Sequence, residues 1–312
     1  MKLRRRMNPL PRAWTFAALG ALTVAVLVLS VLALAQHRSS PVTADTPRPT
    51  GTADPTPEGS PSPSPTPSDT PEPEAPASVV PTRHLTQLSS GTLIRATTGQ
   101  CNGPAPAIEF STDSGATWSP GDAGGATQIL RLLAGDIGQA IAFDDSCQPT
   151  GIWSFNDGAT WEQTTDFVAG SWFFNPAADT TVRAPDGDRP LPCRTLAFSA
   201  WDITAIALCD DGTVVTTSDA ASTWSEPVDV DGALTVSAAP DGFRVLIDGS
   251  AADCDGVQVT SLADGAPQPA GACLTTEFEP GDVALAAAGD GSVAVWAGDI
   301  FARSGDGGAN WG

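Results

Sequence analysis

The sequence predicts an all-β fold of repeated small sheets over residues 83–312, standing behind one apolar helix and a disordered spacer. Three observations predict it. The region after residue 83 lacks helical periodicity and alternates short Val/Ile/Leu/Ala/Thr runs with Asp-Gly and Ser-Asp turns. One eight-residue pattern recurs there at a nearly constant interval. Ahead of it lie an uncharged apolar run and a proline-rich stretch.

Residues 1–13 form a basic segment carrying Lys2, Arg4, Arg5, Arg6 and Arg12. Trp14 to Ala35 then runs for 22 residues without a charge. As a helix that run is about 33 Å long, enough to cross a hydrocarbon core. The preceding positive charges orient the anchor, residues 14–36, with its N-terminus in the cytoplasm and the rest outside. A second reading stays open: Ala33-Leu34-Ala35 before Gln36 fits a small-x-small cleavage site, giving a protein secreted after cleavage near Ala35. The run is long for a signal peptide, so the retained anchor is favoured. No cysteine stands directly after it, which argues against a lipoprotein anchor.

Residues 37–82 are rich in Pro, Ser and Thr and cannot bury enough apolar surface to fold. In an extended polyproline conformation the segment reaches up to about 140 Å. It reads as a disordered spacer holding a domain away from the membrane.

The domain itself begins near residue 83. Four segments share one pattern: STDSGATW (Ser111–Trp118), SFNDGATW (Ser154–Trp161), TSDAASTW (Thr217–Trp224) and SGDGGANW (Ser304–Trp311). A fifth, SLADGAPQ (Ser261–Gln268), has lost the tryptophan. Starts are 43, 63, 44 and 43 residues apart. Upstream of each lies an apolar strand, a turn and another apolar strand, with Asp136, Asp202, Asp241 and Asp290 at equivalent turn positions. Each unit therefore supplies four antiparallel strands in about 43 residues, the size of a β-propeller blade.

These boxes resemble the Ser/Thr-x-Asp-x-Gly-x-Thr-Trp motif of the Asp-box (BNR repeat) sialidase-like propellers, which include sialidases, sortilin-like receptors and photosystem II assembly-factor-like proteins. The resemblance covers residues 83–312 and implies a five-bladed propeller of four-stranded blades. In that reading the 63-residue interval is 20 residues too long for one unit and too short to hide another. The last outer strand is expected from residues 78–84, closing the ring. The resemblance makes Ser111, Asp113, Gly115, Trp118, Ser154, Asn156, Asp157, Gly158, Trp161, Thr217, Asp219, Trp224, Ser304, Asp306, Gly308 and Trp311 structural. Their carboxylates brace the turn between third and fourth strands, glycines take positive φ, and tryptophans pack between blades. It also places these turns on the face opposite the usual ligand site.

Six cysteines in an exported chain point to disulfides. The blade register of the resemblance puts Cys101, Cys147, Cys209 and Cys254 near second-to-third-strand loops, and Cys193 and Cys273 in connections between blades. Both loop classes share one face, giving Cys101–Cys147, Cys193–Cys209 and Cys254–Cys273. A thiolate metal site is the alternative, but no C-x-x-C spacing supports it.

Two surfaces are candidates for binding. The same loops carry Asp144, Asp145, Asp210 and Asp211, with Asp253 and Asp255, a set able to hold Ca²⁺ or a cationic partner unless these are simply good turn residues. The extra stretch at 170–193 carries Trp172, Phe173 and Phe174, an anchor for a partner or a sugar unless they pack as a strand.

Charge and composition exclude several functions. Residues 78–312 hold eight Arg against 30 acids, a net −22 that repels nucleic acid. There is no tyrosine, the only lysine is Lys2, and His37 and His84 are placed ahead of the folded part. A sialidase needs a tyrosine nucleophile, so that activity is rejected. The expectation is a non-catalytic, membrane-tethered propeller binding a protein or carbohydrate at the cell surface, without a cofactor. The alternatives are a glycoside hydrolase, which needs two inward carboxylates roughly 5–10 Å apart, and a purely structural surface protein.

Overall fold

The computed structural model describes residues 79–312. The basic segment, the apolar run expected to span a membrane and nearly all of the spacer lie outside them. Among the described residues no helix is long and apolar enough to cross a membrane.

The described region is an all-β ring of six sheets, not five. Blade 1 comprises β1 (Arg83–Gln87), β2 (Leu93–Thr97), β3 (Ile108–Ser111) and β4 (Ser119–Gly121). Blade 2 follows with β5 (Gln128–Leu133), β6 (Gly138–Phe143), β7 (Pro149–Ser154) and β8 (Glu162–Thr164). Blade 3 is the unexpected one. It holds β9 (Phe173–Phe174), β10 (Thr181–Ala184) and β11 (Gly187–Pro190), in the order β11-β10-β9. Blade 4 has β12 (Thr195–Trp201), β13 (Thr204–Cys209), β14 (Thr213–Thr217) and β15 (Val228–Asp229). Blade 5 has β16 (Ala233–Ala239), β17 (Gly242–Asp248), β18 (Gly256–Ala263) and β19 (Ala266–Pro267), with β20 (Leu274–Thr275) also on β18. Blade 6 has β21 (Val283–Ala287), β22 (Val293–Ala297) and β23 (Ile300–Ser304).

The count of five failed because the long interval is too short for a four-stranded blade but sufficient for three strands of two to four residues. The inner strand, β9, is only two residues long and pairs with β10 through Phe173 and Phe174 alone. Phe167 packs on Gly151 of β7, where a Cβ would come within 2.8 Å of the ring. A 3-10 turn, Val168–Gly170, follows, and the Trp172 indole N–H then reaches the Asp202 carbonyl at 2.7 Å.

Ring closure also differs from expectation. Of the residues expected to do so, the described ones, 79–84, do not add an outer strand to the last blade; Arg83 and His84 open β1, the innermost strand of blade 1. Closure is lateral. β1 lies beside β21, Thr82 N–H donates to Gly281 O at 2.8 Å, and Arg83 pairs with Asp282 at 3.0 Å.

Period-two alternation builds the core. Successive side chains of one strand serve opposite blade junctions. In β6, Ala140 and Ala142 face blade 1 and Ile141 faces blade 3. In β13, Ala205, Ala207 and Cys209 face blade 3, while Ile206 and Leu208 face blade 5. In β22, Val293, Val295 and Ala297 face blade 5, while Ala294 and Trp296 face blade 1. Each of the six junctions holds one apolar cluster. A fully buried Ile or Leu in such a cluster contributes about 1.5–3 kcal/mol, so a one-residue register slip would forfeit two junctions at once.

Candidate functional site

Four boxes share one hydrogen-bond pattern. In the first, Ser111 Oγ donates to Asp113 Oδ1 at 2.8 Å and accepts from Gly115 N–H at 2.8 Å. Asp113 then accepts from Thr117 N–H (2.9 Å) and Thr117 Oγ1 (2.6 Å). Asp219 and Asp306 repeat this with Thr217 and Thr223, and with Ser304 and Asn310. Hydrogen bonds to the ionised form, first from Thr117 and from Ser304 respectively, hold Asp113 and Asp306 at about 2. In the second box Asn156 replaces the acid and donates through Nδ2 to Thr160 Oγ1 at 2.9 Å, while the exposed Asp157 accepts from Thr92 Oγ1. Gly115, Gly158 and Gly308 have φ of +91°, +99° and +96°; the third box takes the same turn with Ala221 at +60°.

Each box tryptophan packs into the junction with the preceding blade: Trp118 with blade 6, Trp161 with blade 1, Trp224 with blade 3 and Trp311 with blade 5. Three of their indole N–H groups donate to carbonyls, of Gly158, Pro190 and Ala272.

The cysteines are joined as Cys101–Cys147, Cys193–Cys209 and Cys254–Cys273, with Cα–Cα distances of 5.7, 5.7 and 5.6 Å. The three bridges fit an oxidising extracellular or lumenal compartment.

Asp144 Oδ1 accepts from Ser146 and Gln148 N–H, and Asp211 Oδ1 from Thr213 N–H and Oγ1, so both brace their own turns. Asp145 accepts from Ser146 Oγ, and Asp210 lies 3.7 Å from Arg194. Among the described residues no three His, Cys, Asp or Glu side chains converge on a metal position. In the insertion, Trp172 and Phe174 are buried and Phe173 is half-buried. They belong to the wall and core of blade 3, with Trp172 and Phe174 tilted against Phe198 at 5.6 and 6.4 Å.

The main concavity is the central channel, a cavity of ≈ 760 Å³ bounded by β1, β5, β9, β12, β16 and β21. Its wall mixes aliphatic side chains with polar ones. Two of its hydroxyls tie adjacent inner strands: Ser199 Oγ accepts from Ala238 N–H and Ser237 Oγ from Ala287 N–H. His84 lies in this wall, inside the fold rather than ahead of it, bonded to Thr98 Oγ1 at 3.1 Å. Burial lowers it to about 4, against a smaller opposing effect of the Ile129 backbone. Among the described residues the wall includes one carboxylate, Asp202.

Two features escaped the sequence reading. The first is the channel mouth. In the β12–β13 turn, Trp201 and Ile203 flank Asp202 (φ +49°) and are 40% and 49% exposed. First-to-second-strand turns and box turns leave an antiparallel blade on the same side, so this apolar mouth opens on the box face. Phe155, exposed on the second box, shares that face. The signal was available: the equivalent turns read Gly-Asp-Ile, Pro-Asp-Gly and Gly-Asp-Gly, and this one reads Trp-Asp-Ile.

The second is Arg131. A β-bulge in β5 displaces Leu130 from the ladder and re-aims the next side chain. Blades 4 and 5 have the same bulge, with Ala197 and Thr235 at the matching position. Arg131 lines the channel and donates to Trp172 O at 2.9 Å and to Ala200 O. It thus bridges blades 2, 3 and 4 where blade 3 lacks a full inner strand. Burial lowers its pKa to about 10, leaving it a cation at neutral pH.

No family model matches the chain. No curated protein matches it either. Solved structures do. A variant of the Aleuria aurantia lectin AAL in complex with Fucα1-6GlcNAc is 9% identical over 73% of this chain and 93% of its own, with a TM-score of 0.48. A variant of AofleA from Arthrobotrys oligospora is 9% identical over 73% and 83%, at 0.48. YCF48 from Cyanidioschyzon merolae is 14% identical over 76% and 86%, at 0.37.

Proposed function

We propose that the chain is a non-catalytic binding propeller, held outside the cell by residues 14–36 on the spacer 37–82, that engages an extended segment of a partner protein at the box-face mouth of its channel. The observation that carries this reading is the exposure of Trp201 and Ile203 on one strained turn at that mouth. A tryptophan and a branched aliphatic side by side, at the rim of a concavity, make an anchor for apolar side chains. A protein segment suits the wall better than a sugar. The wall's Ser199, Ser237 and His84 are engaged within the protein, and the charged donors of Arg131 suit an anion better than the neutral hydroxyls of a sugar. Hydrolysis by a carboxylate pair needs two acids in the channel, and the described wall offers Asp202 alone.

The test is a display library of random twelve-residue peptides selected on the full chain and rescreened on a Trp201→Ser/Ile203→Ser variant of unchanged melting temperature. Peptides that bind the parent and lose at least tenfold on the variant support the reading. Equal binding to both proteins, or selective retention of oligosaccharides on a glycan array, overturns it.

A further inference from the structure

We infer that Arg131 is a carboxylate subsite within the channel, pairing with an acidic group of the ligand while apolar parts of the ligand cover the wall. This rests on the channel being the binding surface. The domain has eight arginines. Six of them, Arg83, Arg95, Arg183, Arg189, Arg194 and Arg244, pair with a carboxylate. Arg303 donates to Gln87. Arg131 has no carboxylate within 4.0 Å among the described residues, in a domain that is otherwise strongly acidic.

Its two carbonyl acceptors hold the guanidinium in place without neutralising it, and three of its five N–H donors are left over. A desolvated cation fixed in that way favours a planar anion that accepts two parallel hydrogen bonds, which a carboxylate does. A doubly charged phosphate would meet stronger repulsion from the surrounding negative surface. The bulge that aims Arg131 recurs in blades 4 and 5, but with Ala197 and Thr235 there, so the backbone geometry alone does not demand an arginine.

The experiment is equilibrium binding of matched probes to the full chain: hexanoate against hexanamide, and acetyl-Leu-Leu-Glu-Leu-amide against its Gln counterpart. The first pair reports a free acid, the second an acidic side chain of a peptide. In one pair or both, the acid is expected to bind at least tenfold tighter than the amide. In Arg131→Gln the ratio falls to about one. Should that variant melt early, Arg131→Lys keeps a cation and a reduced preference. Trp201→Ser/Ile203→Ser weakens both members of a pair alike. If that variant binds unchanged while the acid preference persists, the mouth reading fails and the subsite stands. A ratio near one for both pairs in the parent protein, or no binding of either acid at millimolar concentration, overturns the inference.

Discussion

The guanidinium carbon of Arg95 lies 4.1 Å from the ring centroid of Trp118. The same guanidinium sits 4.6 Å from Trp296, and Arg83 lies 4.3 Å from the Trp296 ring. Cations and indoles therefore alternate across the seam between blade 1 and blade 6. Phe301 of β23 adds an edge contact to Trp118 at 5.1 Å. The described ends of the ring are joined by this stack, by Thr82 on Gly281 and by the Arg83–Asp282 pair, with no shared outer strand.

Replacing Arg95 by Met keeps the stem and removes the cation. Partly desolvated cation–π contacts contribute about 0.5–2 kcal/mol each, and the half-exposed Glu109 partner adds little. Arg95→Met is expected to lower unfolding stability by about 2 kcal/mol in urea, with Arg95→Lys intermediate. A loss under about 0.5 kcal/mol would show that the seam is held by apolar packing alone.

His84 makes stability depend on pH. Its folded-state pKa is lowered from 6.5 to about 4, chiefly by burial. Between those values the unfolded chain binds the extra proton, so stability rises with pH. The contribution is fully present above 6.5 and is lost as pH falls towards 4. Because the ring is half-buried, the expected loss is of the order of 2 kcal/mol. Melting temperature against pH should show a slope in that window that His84→Gln flattens. An equal slope in both proteins would assign it to other groups.

The repeat and the cysteine register were legible because both are carried by local signals: a turn motif at fixed spacing, and cysteines at fixed distances from it. Blade 3 was not. It has no box tryptophan, its strands are two to four residues long, and the turn between its second and third strands is only Pro185-Asp186. Nothing in Trp172 or Phe174 distinguishes a loop anchor from an inner strand; only the neighbouring blades decide that, through Phe198 and Arg131. Arg131 itself is one charge inside an apolar strand, and its lack of an acidic partner is a property of three dimensions. Trp201 was legible in principle, as the one bulky residue in a column of Gly and Pro, but aligning the turn aspartates drew attention to the acid rather than to its neighbours.

The second box supplies a built-in control for the first. Asn156 occupies the place of Asp113 and still accepts from Ser154 Oγ and Thr160 N–H, at 2.9 and 3.0 Å, while its Nδ2 donates to the Thr160 hydroxyl, whose counterpart in the first box, Thr117, donates to Asp113. Asp113→Asn should therefore be accommodated by rotating the Thr117 hydroxyl, with little loss at neutral pH. What it should change is acid sensitivity. The folded-state pKa of Asp113 is depressed from 3.8 to about 2, so its contribution is present above 3.8 and is lost as pH falls through 2. Thermal melts of parent and Asp113→Asn at pH 7, 4, 3 and 2 should coincide at the first two values and separate below, the variant falling less. A variant that is much weaker at pH 7 would mean that the charge itself, rather than the hydrogen-bond pattern, holds the box turn.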